Sequence, residues 1–241
     1  MMWPRWYVLN RGRVLPIAGI SAIILVLIWL VASVIGEGSM SEKELFDKSL
    51  ANTINSSSYR YNVEVKQTGR ETISLIEGAY VKPNRVHIKG AMQKSSMEFI
   101  LIDDTTYMKD PWSERWFTLK GDSLANSDLF LTEFKPLGLF NFKDIPIIKR
   151  TGSEKIDGIK TDVLELRPNV ANPLMDEKYT DFKFKVWVDP KEKMIRRAFM
   201  QAYLPGGAEG LLVDMRFWGF NDKIEIKPPS NDSLELKTGK Q

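Results

Sequence analysis

Hydrophobic positions follow three patterns in turn along the chain. From Leu15 to Gly36 they run almost unbroken: LPIAGISAIILVLIWLVASVIG is 22 residues without a charge. At ~1.5 Å per residue a helix of that length matches a bilayer's hydrocarbon core, and Pro16 stands at its first turn, where a helix tolerates proline. No polar face makes the stretch amphipathic, which argues against a buried soluble helix. From Ser41 the apolar positions fall near helical spacing, at Leu45, Phe46, Leu50 and Ile54. Ser41 and Glu44 have the spacing of a capping box, and Asn55-Ser56-Ser57-Ser58 marks a stop, so one amphipathic helix over about Glu42 to Ile54 is predicted.

After Ser58 the period becomes 2. Tyr59, Tyr61, Val63 and Val65 alternate with Arg60, Asn62, Glu64 and Lys66, which puts apolar and polar side chains on opposite faces of a strand. Strand character returns over 72–81, 85–91, 97–102, 105–109, 115–120, 147–156, 161–167, 181–188, 194–204 and 211–220. Turn residues punctuate it, among them Lys82-Pro83-Asn84, Asp103-Asp104, Asp157-Gly158 and Asp189-Pro190-Lys191. Short turns between alternating strands imply antiparallel neighbours. The alternation lapses between Lys120 and Ile145, where an apolar-rich insertion reads as a short helix plus a loop. The fold class is therefore α+β: an N-terminal transmembrane helix, then a curved antiparallel sheet of about ten or eleven strands covered by helix 42–54 and the 123–142 insertion.

Charge adds orientation. Arg5, Arg11 and Arg13 precede the apolar span and Glu37, Glu42 and Glu44 follow it, which by the positive-inside rule keeps the N-terminus in the cytoplasm and sends the rest across. The expected organisation is a basic cytoplasmic segment (1–14), a signal anchor (15–36), a linker (37–41), an extracytoplasmic domain (42–228) and a frayed polar tail (229–241). The expected location is a cytoplasmic membrane crossed once, which the family resemblance given below makes a bacterial one. Gly36-Glu37-Gly38 also offers small residues for a signal peptidase, but about twenty apolar residues exceed the ~7–15 of a signal peptide. The net charge of +3 comes from the three N-terminal arginines, leaving 31 cations and 31 anions in the remainder. Such a balanced body is a poor partner for nucleic acid, whose binding rests on clustered Lys and Arg.

Candidate chemistry is sparse. With no cysteine and one histidine there is no thiolate metal site, thiol nucleophile or multi-histidine centre, and no cofactor or metal is expected. Nucleophile-elbow, phosphate-loop, dinucleotide and zinc-protease motifs are missing. His87 shares its phase with Arg85 and Lys89, which assigns it to the solvent face. Asp103-Asp104 and Asp176-Glu177 read as turn and loop chemistry rather than as a glycosidase pair. The expectation is a non-enzyme.

Aromatic residues make up 11% of the chain and concentrate on strands and in the insertion. If the sheet curls, they gather into a core or line a concave apolar surface suited to an acyl chain or a lipid-modified segment. The candidate cavity residues are Leu124, Leu129, Phe130, Phe134, Leu137, Phe140, Phe182, Phe184, Phe199 and Phe217. The insertion from Leu124 to Phe142 would be the lid.

Several motifs resemble a known family. Ser58-Tyr59-Arg60-Tyr61-Asn62-Val63-Glu64-Val65 after a helix, then Gly78-Ala79-Tyr80-Val81-Lys82-Pro83-Asn84-Arg85-Val86, are similar to the opening of the outer-membrane lipoprotein carrier (LolA) and mycobacterial LppX/LprG-like superfamily. Ile156-Asp157-Gly158, Val163-Leu164-Glu165-Leu166 and Val186-Trp187-Val188-Asp189-Pro190 continue the likeness in order over about Glu42 to Pro228. The resemblance implies an unclosed antiparallel barrel with helices plugging its mouth and a hydrophobic cavity for the acyl chains of lipids or lipoproteins. Many relatives are soluble shuttles or carry a lipobox cysteine; this chain has neither trait if the anchor stays. The function expected is a membrane-anchored extracytoplasmic protein that binds lipid or acylated protein in such a cavity, for transfer or sensing. The alternative is an envelope sensor or assembly scaffold with a solid core, whose exposed edge binds another membrane protein.

Overall fold

A computed structural model describes residues 40–69, 72–121, 135–229 and 233–235. The predicted anchor (15–36), and Leu124, Leu129, Phe130 and Phe134 of the predicted lid, lie outside the described residues. Among the described residues no helix is long and apolar enough to cross a membrane.

The predicted amphipathic helix is present as α1 (Glu42–Asn55), which buries Leu45, Phe46, Ser49 and Thr53 along one stripe. All eleven predicted strands are present: β1 (Ser58–Gln67), β2 (Thr72–Val81), β3 (Arg85–Met92), β4 (Ser95–Ile102), β5 (Thr105–Lys109), β6 (Trp116–Lys120), β7 (Phe142–Ile156), β8 (Ile159–Val170), β9 (Asp181–Asp189), β10 (Met194–Tyr203) and β11 (Glu209–Trp218). A twelfth, β12 (Ser233–Glu235), pairs parallel with β6. These twelve form one sheet in the order β12-β6-β5-β4-β3-β2-β1-β11-β10-β9-β8-β7. Two antiparallel meanders, β1–β6 and β7–β11, meet where β1 pairs with β11. The outermost strands β7 and β12 are not neighbours, so the sheet is unclosed.

Three details differ from the sequence expectation. Pro136–Phe140 is a 3-10 helix, and β7 begins at Phe142 rather than 147. Asp176-Glu177 belongs to a short helix, α2 (Pro173–Lys178), and not to a loop. Ahead of the predicted tail Ile224 and Ile226 pack against Ala79 and Ile100 on the sheet, and within it Ser233–Glu235 form β12.

Turn chemistry fixes the registers. Asp157 and Gly158, both at positive φ (49° and 82°), make the two-residue β7–β8 hairpin that their sequence announces. The β3–β4 hairpin has the same geometry with Gln93 and Lys94 (48° and 69°). Gly78 faces Tyr61 across the β1–β2 pair, and a Cβ there would lie 2.2 Å from the tyrosine ring. The ring covers the glycine, a device that pins register.

Register sorts the side chains into two faces. Tyr61, Val63 and Val65 oppose Phe217, Met215 and Val213; Met200 opposes Phe184, and Phe184 opposes Leu166. This inner face is the core, with Tyr61, Val63, Met215 and Leu164 fully buried. α1 lies on it, against β10, β9 and β7. Thr53 at its end donates its hydroxyl to the Ser49 carbonyl and accepts the Ile195 N–H at 3.0 Å, tying α1 to β10.

Candidate functional site

On the inner face, α1, the 3-10 helix and the start of β7 converge on an aromatic cluster. The Phe46 ring lies 6.2 Å from both Phe140 and Phe142, and Phe184 lies 5.8 Å from Phe140 and 5.0 Å from Phe142. Such spacings suit tilted and edge-to-face packing. Beside it opens a hollow of about 470 Å³ lined by Phe46, Leu50, Phe140, Phe142, Ile145 and Pro146, with Lys43, Asp47, Lys143 and Asp144 at its charged positions.

The structure brings together some of the sequence candidates. Leu137 and Phe140 are buried in the 3-10 helix, and Phe182, Phe184 and Phe217 are buried on the inner face. Phe199 does not join them. It opposes Lys185 and Asp214, on the phase of Arg197 and Gln201, whereas Ala198, Met200 and Ala202 are the inner residues of β10. The polar company of Phe199 in the RRAFMQAY run is the signal that separates it; aromatic size alone points the wrong way. Trp112 is likewise apart from any aromatic cluster, 87% exposed at the β5–β6 hairpin tip. Its N–H bonds Asp110, whose carboxyl the Ser113 hydroxyl and this N–H hold below its ordinary pKa.

The outer face carries charge. Arg197 donates to both carboxylate oxygens of Asp214 (2.9 and 2.6 Å) and stacks on Trp187, 4.6 Å from its ring centre. Trp187 donates to Glu154 at 2.8 Å, and Lys185 reaches the other Glu154 oxygen at 2.9 Å. The Lys185 and Trp187 hydrogen bonds lower the Glu154 pKa. Next to this ladder is a groove of about 580 Å³ crossing β7 to β10, walled by Lys149, Arg167, Lys183 and Lys185 over Ile147 and Phe199. Sequence reading missed these cations, because each looks like the solvent-facing member of an ordinary alternating strand.

His87 sits between strands with its Nε2 3.0 Å from Glu98, which Lys109 also approaches at 3.8 Å. Among the described residues no group of three His, Asp or Glu side chains is placed to hold a metal ion.

This open sheet, two meanders joined through β1 and β11 with a helix on the inner face, has a fold similar to that of two solved mycobacterial proteins. The chain is similar to the lipoprotein LppX of Mycobacterium tuberculosis, with a TM-score of 0.54 and 17% identity over 78% of this chain and 100% of that one. It is also similar to LprF from Mycobacterium bovis, with a TM-score of 0.55 and 14% identity over 79% of this chain and 98% of the other. A LolA superfamily protein from Nitrosomonas europaea aligns over 78% of this chain and 94% of its own at 10% identity, but its TM-score of 0.32 gives it no weight in the argument. No family model and no curated protein sequence matches the chain. At these identities the likeness is one of fold, and at that level it bears out the resemblance read from the sequence.

Proposed function

We propose that this protein is a non-enzymatic envelope protein, anchored by residues 15–36 with its domain outside, that binds acyl chains of lipid or acylated protein on the inner face of the sheet. The observation that carries this reading is the hollow at α1, the 3-10 helix and β7, which has Phe46, Leu50, Phe140, Phe142, Ile145 and Pro146 on its apolar side, Lys43, Asp47, Lys143 and Asp144 on its charged side, and opens beside the Phe46–Phe140–Phe142–Phe184 cluster. Its size and apolar side suit an acyl chain, and its charged side leaves room for a polar end. The LppX-type fold supports the same reading, and the insertion from Leu124 to Phe142, with Leu129, Phe130 and Phe134, is proposed as the lid.

The alternative, a scaffold whose sheet edge binds a membrane protein, gains less from the geometry. The end strand β7 shifts register at Phe142/Asp144, Asp144/Ile147 and Arg150/Gly152, and it carries Pro146 and several lysines. Bulges, proline and edge lysines are devices that discourage strand addition.

Native mass spectrometry of the full chain, purified from a bacterial envelope, tests the reading. The expected result is a co-purifying acyl lipid, lost at least severalfold in Leu50→Asp while circular dichroism stays unchanged. An apo mass for the wild-type chain would overturn the acyl reading.

A further inference from the structure

The ladder between β8 and β9 stops early. Its last pair is Leu166 with Phe184, although β8 runs on to Val170 and β9 begins at Asp181. Pro168, just beyond the last pair, has no N–H to give to a ladder. Two hollows lie along the parting. One is the 580 Å³ groove on the outer face; the other, of about 220 Å³, shares Ile147 and Arg167 with it and reaches Pro168, Val170 and Phe182. Phe199 belongs to the outer phase and Phe182 to the inner, so the two hollows together run from the charged face toward the apolar one.

The two ends differ in chemistry. At the outer end four cations, Lys149, Arg167, Lys183 and Lys185, stand against one lining acid, Glu165. Lys185 is paired with Glu154, and Arg167 lies 3.8 Å from Asp181. Lys183 donates to the Tyr203 hydroxyl at 3.1 Å, and among the described residues neither it nor Lys149 has an acidic partner within ion-pair distance. Flanking the parting, on β10 and β7, lie Phe199, half-buried, and Ile147, 44% exposed. Two cations without an acidic partner beside the apolar residues Ile147, Leu166, Phe184 and Phe199 complement a molecule with an anionic head and a single chain. The smaller hollow is mixed, with Pro168, Val170 and Phe182 beside Asp176, Thr180 and Asp181. The concavity fits a small molecule better than a flat membrane surface.

We propose that the parting between β8 and β9 is the binding slot of an anionic single-chain amphiphile. Its carboxylate or phosphate-monoester head is held by Lys149, Lys183 and Arg167, and its chain lies along Phe199 and Ile147 toward Phe182. The proposal goes beyond the acyl-binding reading above by adding a second site, distinct from the hollow at α1, and rests on that reading only for the ligand's acyl chain.

The test uses the full chain in lipid nanodiscs and three diazirine-bearing photoprobes: palmitic acid, a palmitoyl lysophosphatidate and palmitic acid methyl ester. Labelled peptides are mapped by mass spectrometry. At least one acid should label the peptides around 147–149, 165–167 and 183–185 at least fivefold above the ester, and which acid does so identifies the head. Lys149→Glu with Lys183→Glu should cut that labelling at least fivefold, and the milder Lys149→Gln with Lys183→Gln should cut it less. Labelling at Phe46 and Phe140 should not change in either variant. Acid labelling confined to Phe46 and Phe140, equal labelling of the slot by acid and ester, or labelling indifferent to the charge changes would each overturn the slot and leave the acyl reading standing. No labelling of any peptide by any probe would overturn both.

Discussion

Asp189 shows how much one side chain can organise. It is buried at the β9–β10 turn, accepts the N–H groups of Lys191 and Glu192 at 3.0 and 3.1 Å, and receives the Arg196 guanidinium at 2.9 Å. Burial works to raise its pKa, but the Arg196 hydrogen bond and the two N–H groups outweigh it and hold the carboxyl below its ordinary value. A depressed carboxyl contributes stability that is complete above the unfolded pKa and is lost as pH falls through the folded one. Asp189→Asn should therefore destabilise the domain by about 2 kcal/mol at pH 7, with the gap to wild type closing below about pH 4, as read by urea titration at several pH values. The turn was legible in Asp189-Pro190-Lys191; its partner Arg196 was not, because the β10 register shifts between Ile195 and Arg197 and breaks the alternation there. Phe199, by contrast, was legible. Period 2 tells which residues share a face within one strand, and on β10 it sets Phe199 with Arg197 and Gln201, a polar company that outweighs aromatic size.

At the scale of elements, strands announce themselves when alternation and turn residues agree, which is why β2 and β5 carry their expected bounds. Where they disagree the signal fails. The start of β7 hides behind Pro146 and two register shifts that leave its apolar residues out of step. A strand of three residues such as β12 has no period to display. The β3–β4 hairpin is the opposite case: its registry is regular, yet Gln93 and Lys94 occupy left-handed conformations better suited to Asn-Gly. Gln93→Asn with Lys94→Gly should stabilise the domain by about 1 kcal/mol, a rise in Tm of about 3 °C by scanning calorimetry.

The whole molecule combines what the sequence showed with what only pairing could show. The antiparallel sheet and its helix follow from periodicity; that the sheet is unclosed follows from its strand order. The groove on the outer face depends on four long side chains from three strands and on a ladder that stops at Leu166, two residues short of Pro168, whose presence was visible in the sequence while the end of the ladder was not. Membrane orientation can be tested on the intact chain, since it contains no cysteine. Trp112→Cys, at an 87% exposed position, should react with a membrane-impermeant maleimide added outside intact cells, while Trp6→Cys should react only after lysis. The reverse pattern would overturn the proposed orientation. The pairing of β1 with β11 has a further consequence during synthesis. The first meander is complete once β6 has been made, but the outer edge of β1 waits for the last long strand of the sheet. Until β11 arrives, that edge is an unsatisfied row of backbone donors and acceptors beside a strongly apolar face, the kind of surface on which nascent chains associate wrongly. Closing the β1–β11 seam is the one step that neither meander can take alone, so truncation before β11 leaves a chain exposed to aggregation rather than a smaller working domain.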